Sequence, residues 1–216
     1  MAEFERVVED NLFRMNSLFE LKNLGNAEVL GEGCHASTTK LDDASVDLVL
    51  TSPPYCGAQK YVRSLRLEML ILGMSAETIA EADRNTLGTE RVKSNNRGCW
   101  DFTPDQNIAD LISRVNDKNP TRGFMLAEYL RYLNDFAREL FRILKPGGDA
   151  FLTFGPDRVC GIEVDSAKLF AQMAQRYSLQ HLATFIDTIP SRGMITIRHL
   201  SASVIADEHV VWLRRI

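Results

Sequence analysis

The strongest chemical signal in the sequence is five consecutive residues, Thr51-Ser52-Pro53-Pro54-Tyr55. Each proline fixes φ and lacks a backbone N–H, so the carbonyls of such a turn point in set directions and serve as acceptors. The Ser52 hydroxyl adds a side-chain acceptor, and Tyr55 adds a flat face on which a planar ring can stack. A turn of this composition suits a flat ring that carries an NH2 group. The nitrogen of such an amine is a poor nucleophile, because its lone pair is delocalised into the ring. Two acceptors aimed at its hydrogens favour a more pyramidal nitrogen and free the lone pair for in-line attack on an electrophilic methyl group. No covalent enzyme intermediate is needed; the work is positioning and electrostatics. Taken alone, the same string also fits a rigid surface turn or a polyproline ligand.

The elements around the turn decide what it does. Val46-Asp47-Leu48-Val49-Leu50 is a short, nearly continuous apolar run, preceded by the turn-like Asp42-Asp43-Ala44-Ser45. It reads as a strand of a parallel sheet, buried on both faces. Pro53 and Pro54 cannot donate to a ladder, so the strand stops there. The turn then lies at the carboxyl end of a parallel strand, where open α/β sheets place their ligands. A helix is expected from Gln59 to Leu72. Upstream, Phe4, Val7, Val8, Leu12, Met15, Leu18 and Phe19 recur at helical spacing over residues 4–24, and Gly25 follows as a stop signal. A short strand, Ala27 to Leu30, is expected next.

Residues 75–123 are polar and rich in Asn, Asp, Thr and Arg, and they read as an insertion. Within it, helical pieces fall around 76–84 and 105–116, with a loop from Thr86 to Trp100. Met125 to Leu144 has the widest apolar helical face, closed by Lys145-Pro146-Gly147-Gly148. A strand Ala150–Phe154, a helix near Asp165–Tyr177 and strands near His181–Asp187 and His209–Arg214 complete the pattern. Alternating strands and helices predict an α/β fold with a mostly parallel sheet, and the close final pair predicts an antiparallel edge.

Composition narrows the function classes. The chain has 216 residues, 45% hydrophobic and 25% charged, as expected of a soluble globular domain. No apolar run approaches the ~20 residues that span a bilayer. The acidic start MAEFERVVED is unlike a secretory signal, so the expectation is a cytoplasmic protein with no membrane partner. Cys34, Cys56, Cys99 and Cys160 form no C-x-x-C pair and the four histidines are scattered, so neither a metal site nor a disulfide framework is expected. The net charge of −4 is unusual for a lone nucleic-acid binder, so such contacts would need a local basic patch or a partner.

The stretch DLVLTSPPYCGAQKYVRSLRLEMLILG resembles the catalytic region of the S-adenosylmethionine-dependent amino-methyltransferases of DNA. Their signature after the fourth strand is Ser/Asp/Asn-Pro-Pro-Tyr/Phe. The LeuLysProGlyGly unit within 125–154 looks like the fifth-strand region of that fold, and the last two strands look like its terminal hairpin. The resemblance covers most of 27–74 and 125–216. It implies that Ser52, Pro53, Pro54 and Tyr55 are catalytic, with cytosine N4 favoured over adenine N6 as the methylated amine. It further implies that Thr51 and either Glu32 or His35 touch the cofactor. The family's Phe-x-Gly-x-Gly cofactor loop has no counterpart in the sequence. Gly31 and Gly33 are too close to Leu50 to leave room for two crossover units of about a dozen residues each. They fit better as the loop after a third strand.

The expectation is therefore a single partial Rossmann-like methyltransferase domain over 1–216, with strands one and two missing and 75–123 inserted as a target-recognition region. A second polypeptide carrying the Gly-rich loop, or self-association, would complete it. Lys60, Arg63 and Arg66 would share one helix face toward phosphates. Arg91, Lys93 and Arg97, near Trp100, form a second basic group in the insertion; Arg192 and Arg198 form a third. Cys56 is expected to pack rather than react. The main reading is the catalytic-motif subunit of a split DNA methyltransferase of a restriction-modification system, in a bacterial or archaeal cell. The alternatives are a degenerate, non-catalytic regulatory or DNA-binding subunit, and a methyltransferase of RNA or protein.

Overall fold

The computed structural model describes residues 2–19, 25–30, 36, 38–56, 61–85, 105–189 and 207–216. They fall into two compact units, Met1–Cys34 and His35–Ile216. The first unit holds helix α1 (Ala2–Phe19), on which Phe4, Val7, Val8, Leu12 and Met15 keep the expected helical spacing. Residues 25–30 form neither helix nor strand, so the expected strand Ala27–Leu30 is absent. A strand exists only through its pairing, and this unit has no described strand to pair with.

The second unit begins with β1 (Val46–Thr51), followed by two short helices, α2 (Tyr61–Ser64) and α3 (Arg66–Ile71), and by α4 (Ala76–Asn85), α5 (Gln106–Lys118) and α6 (Pro120–Ile143). Next come β2 (Leu144–Phe154), β3 (Asp157–Val159), β4 (Ile162–Val164), α7 (Ser166–Gln175), β5 (Leu179–Thr188) and β6 (Asp207–Arg215). The architecture is mixed α/β. The main sheet has the order β1-β2-β6-β5, and β3 and β4 form a separate small hairpin. Only β1–β2 is parallel; β2–β6 and β5–β6 are antiparallel. The antiparallel terminal pair was expected. A mostly parallel sheet is not found among the described residues.

One face of the sheet is closed. Ala150, Leu152 and Phe154 on β2 and Val211 and Leu213 on β6 are buried in one cluster with Leu126, Tyr129, Leu130 and Leu133 of α6 and Phe170 and Met173 of α7. The opposite face is open at β1, where Leu48 is 49% and Leu50 69% exposed. β1 is therefore not buried on both faces as its apolar run suggested. It lies at the edge of the described sheet. On this open face Phe151 stacks on Trp212 at 5.4 Å, and Phe185 stacks on the same indole at 6.4 Å.

Local chemistry sets the element ends. Asn119 caps α6 by accepting from the Arg122 N–H at 3.1 Å, with Pro120 at the first helical position. Gly123 lies where an added Cβ would come within 2.7 Å of Asn116, so its missing side chain lets α5 and α6 approach closely. Ile108, Ile112 and Val115 of α5 are buried in the main cluster, so the second half of the expected insertion is built into the core. At the start of β2, Gly147 takes φ +81, and the ladder register slips between Val46 and Leu48. The chain entering β1 is tied to the end of α6: the Thr39 N–H and hydroxyl both donate to Glu139 Oε1 at 2.7 Å, and Arg142 pairs with Glu139 and with Asp43. These bonds hold the Glu139 carboxyl well below its ordinary range, at about 2.

Candidate functional site

The turn Thr51–Tyr55 leaves the carboxyl end of β1, as the sequence predicted, and it runs against the carboxyl end of β2. Thr51 is the last residue of β1 and pairs with Leu152. Ser52 is exposed, and its hydroxyl donates to the Thr153 carbonyl at 3.3 Å. That bond uses the hydroxyl proton and leaves the oxygen lone pairs to accept. Pro53 is buried, and Pro54 and Tyr55 are half-buried.

Tyr55 is held more firmly than a surface aromatic. Its hydroxyl donates to Glu208 Oε1 on β6 at 2.5 Å. The tip of its ring lies over Gly155, where an added Cβ would come within 2.8 Å of Cζ. Gly155 is therefore required as glycine by the close approach of the ring. Next along the chain, the Cys56 N–H donates to Asp157 Oδ2 at 3.2 Å. The same oxygen accepts from the Ser166 hydroxyl at 2.9 Å. Thr153, Gly155 and Asp157, alternate residues at and beyond the end of β2, thus receive Ser52, Tyr55 and Cys56 in order.

Two side chains here have altered acidity. Burial raises the Asp157 carboxyl to about 6, against the lowering effect of its two hydrogen bonds. Burial also pushes the Cys56 thiol far up, with the Asp157 charge adding to the effect. Cys56 is 2% exposed, so it packs and holds no reactive thiolate.

The other expected site residues are distributed as follows. Glu32, His35, Lys60, Arg91, Lys93, Arg97, Trp100, Arg192 and Arg198 lie outside the described residues. Arg63 lies on α2 and Arg66 on α3, both exposed. The expected continuous helix over 59–72 is broken at Leu65, so these two arginines do not share one helix face. Gly155, Asp157 and Glu208 were not anticipated. The signal for the first two was Phe154-Gly155-Pro156-Asp157 directly after an apolar strand, a glycine and an acid just where the strand meets the turn. Nothing local marks Glu208.

Gly25, Gly73, Gly147 and Gly161 face open space, and Gly123, Gly148 and Gly155 are crowded by atoms of this chain. Among the described residues no group of three metal-ligating side chains occurs, and no helix is long and apolar enough to cross a membrane.

No protein-family model matches the sequence. The Type II methyltransferase M.MvaI of Kocuria varians is 23% identical over 201 residues, which is 88% of this chain and 44% of that protein. The Type II methyltransferase M.AvaI of Nostoc sp. is 24% identical over 143 residues, 60% of this chain and 30% of that protein. The chain thus spans less than half the length of these curated relatives. Among solved structures, the cytosine-N4-specific PvuII DNA methyltransferase superposes with a TM-score of 0.43 at 15% identity, covering 82% of this chain and 45% of that one. So loose a superposition decides nothing about chemistry. The sequence relationship is the informative one: at 23% and 24% identity the chain is similar to two Type II methyltransferases, in agreement with the resemblance carried by its Thr51–Tyr55 region.

Proposed function

We propose that this chain supplies the amine-binding turn of a DNA methyltransferase, with cytosine N4 favoured over adenine N6, and that a second polypeptide holds most of the S-adenosylmethionine. The observation that carries the reading is the Ser52–Tyr55 turn at the carboxyl end of a parallel strand, braced by Thr153, Gly155 and Glu208. In this reading the Ser52 oxygen and the Pro53 carbonyl accept the two amine hydrogens, and Tyr55 stacks on the base. The nitrogen would bond the methyl carbon as that carbon's bond to the donor's sulfonium sulfur breaks, leaving a neutral thioether, and the nitrogen would give up one proton to water. The base must leave the duplex to reach the turn, at a cost of a few kcal/mol. Bracing the turn beforehand means that little reorganisation is needed at the moment of transfer.

The need for a second polypeptide rests on two features: the sequence lacks Phe-x-Gly-x-Gly, and β1 presents Leu48 and Leu50 to solvent at the sheet edge. In the partial Rossmann-like arrangement that we propose, the missing strands pair along that edge. The net charge of −4 favours a second reading, a non-catalytic subunit, over a chain that grips DNA alone. The region 75–123 is retained as a candidate for target recognition, with Arg63 and Arg66 as candidate phosphate contacts.

Transfer of labelled methyl to DNA by the assembled protein, followed by base analysis, tests the proposal. Ser52→Ala loses one acceptor together with the hydroxyl's bond to the Thr153 carbonyl, so the rate should fall while DNA affinity stays constant. Tyr55→Ala loses a stacking face worth roughly 1–3 kcal/mol, and activity should fall up to about a hundredfold. Tyr55→Phe keeps the face, loses the Glu208 bond and should fall less. If Ser52→Ala and Tyr55→Ala both methylate as fast as the parent, the turn is only a turn and the non-catalytic reading takes over.

A further inference from the structure

Among the buried groups that the proposed chemistry leaves unused, Asp157 is tied directly to the turn. It is 2% exposed. Its Oδ2 receives both the Cys56 N–H and the Ser166 hydroxyl, while its Oδ1 is buried with no hydrogen-bond partner among the described residues. Burying a carboxylate is expensive, and one half-satisfied oxygen pair makes it more so. An apolar side chain would be the cheaper occupant for packing alone. What the carboxylate adds is a junction, since three elements meet at one of its oxygens.

Cys56 immediately follows the Ser-Pro-Pro-Tyr turn, and its side chain is anchored in the core at 2% exposure. Ser166 is the first residue of α7, whose start is also capped by Asp165 accepting from the Lys168 N–H at 2.9 Å. Asp157 itself opens the β3–β4 hairpin. We propose that Asp157 is a positioning residue for methyl transfer. By holding the Cys56 N–H and the Ser166 hydroxyl on one oxygen, it fixes the end of the turn to the start of α7 and sets the placement of Tyr55 and of the Pro53 carbonyl. This rests on the methyltransferase reading, but its structural half is testable without any methylation.

Alkylation of Cys56 by iodoacetamide, followed peptide by peptide with mass spectrometry, reports release of the turn, because the thiol is buried while the turn is held. The exposed Cys160 controls for the reagent. Asp157→Ala should speed Cys56 alkylation at least tenfold, and the gain should be flat with low urea, as local opening is. Ser166→Ala removes one of the two bonds and should give a smaller gain, about threefold, in a variant with the carboxylate still present. Asp157→Asn can place its amide oxygen where Oδ2 sits and should return the rate to within threefold of the parent. In labelled methyl transfer by the assembled protein, Asp157→Ala should lower kcat tenfold or more with KM for DNA within threefold, and Asp157→Asn should recover it.

Unchanged Cys56 alkylation in both Asp157→Ala and Ser166→Ala overturns the proposal. So does a gain that grows with urea in the manner of global unfolding, or a released turn that methylates with the parent's kcat. A parent assembly that transfers no methyl defeats the methyltransferase reading, and the alkylation rates still decide whether Asp157 holds the turn.

Discussion

The two faces of the main sheet differ sharply. On one, Leu152 and Leu213 are completely buried beneath helices; on the other, Leu50, the partner of Phe151 in the β1–β2 ladder, is 69% exposed. Successive residues of a strand point to opposite faces, so one sheet serves two environments. The open face and the edge of β1 that is unpaired among the described residues have the composition of interior and the exposure of surface, a combination that proteins normally cover. The Ser52–Tyr55 turn sits where these regions meet. It is braced on the β2 side, by Thr153, Gly155 and Asp157.

Substitutions should separate the two regions by magnitude. Leu152→Ala, on the closed face, should destabilise by about 2–5 kcal/mol in urea denaturation, the usual result of emptying a packed site. Equal stability of parent and variant would mean that the helices do not pack on this face.

Glu139→Gln breaks the pair that ties the entrance of β1 to α6. Breaking a fully buried pair costs about 3–5 kcal/mol. Arg142 keeps 32% of its side chain exposed, so water screens the pair and the loss should fall well short of that. The Glu139 carboxyl sits at about 2, below its value of about 4.3 in an unfolded chain. Its stabilisation is therefore complete above about pH 4.5 and is lost as pH falls toward 2. Urea midpoints of parent and Glu139→Gln should converge over that window; a constant gap would contradict the assignment.

Asp157 has the opposite sign. Its folded value of about 6 lies above the unfolded carboxylate value, so ionisation destabilises the fold as pH rises through 6. Asp157→Asn removes that penalty. It should gain up to about 2 kcal/mol at pH 7 and nothing below pH 4, measured by the same denaturation series. A loss of stability at pH 7 would show that the charge itself is needed by the fold.

Smallest of all, Leu50→Ala should change the stability of the chain by no more than about 0.5 kcal/mol. Its effect should fall on assembly instead. Analytical ultracentrifugation should show the parent self-associated or bound to its second polypeptide, and Leu48→Lys with Leu50→Lys should weaken that association. A parent that sediments as a clean monomer, and stays so with any methyltransferase half supplied, would leave the open face unexplained.

The elements that the sequence specified were those with long or chemically marked patterns. The apolar face of α6 runs through 24 residues, and its Asn119-Pro120 start is a local signal, though it begins five residues before the expected Met125. The turn at Ser52 was legible because proline chemistry is local. The β3–β4 hairpin was missed because three-residue strands are too short to show a period of two. The break at Leu65 was missed because Val62 through Leu72 keeps a helical composition across it. The apolar run of β1 suggested burial on both faces, since composition records what a strand is suited to pack against and not whether it is covered in this chain. Tyr55 was read from the sequence only as a stacking face; its anchor, Glu208, is 153 residues away in sequence and on another strand.

In the proposed division of labour this chain carries the amine-binding turn while the methyl donor is held mainly elsewhere. Calorimetric titration of the purified 216-residue chain with S-adenosylmethionine tests that division most directly. No micromolar binding by the chain alone is expected, with binding appearing only when the half bearing a Gly-rich loop is added. Micromolar binding by the chain alone would contradict it.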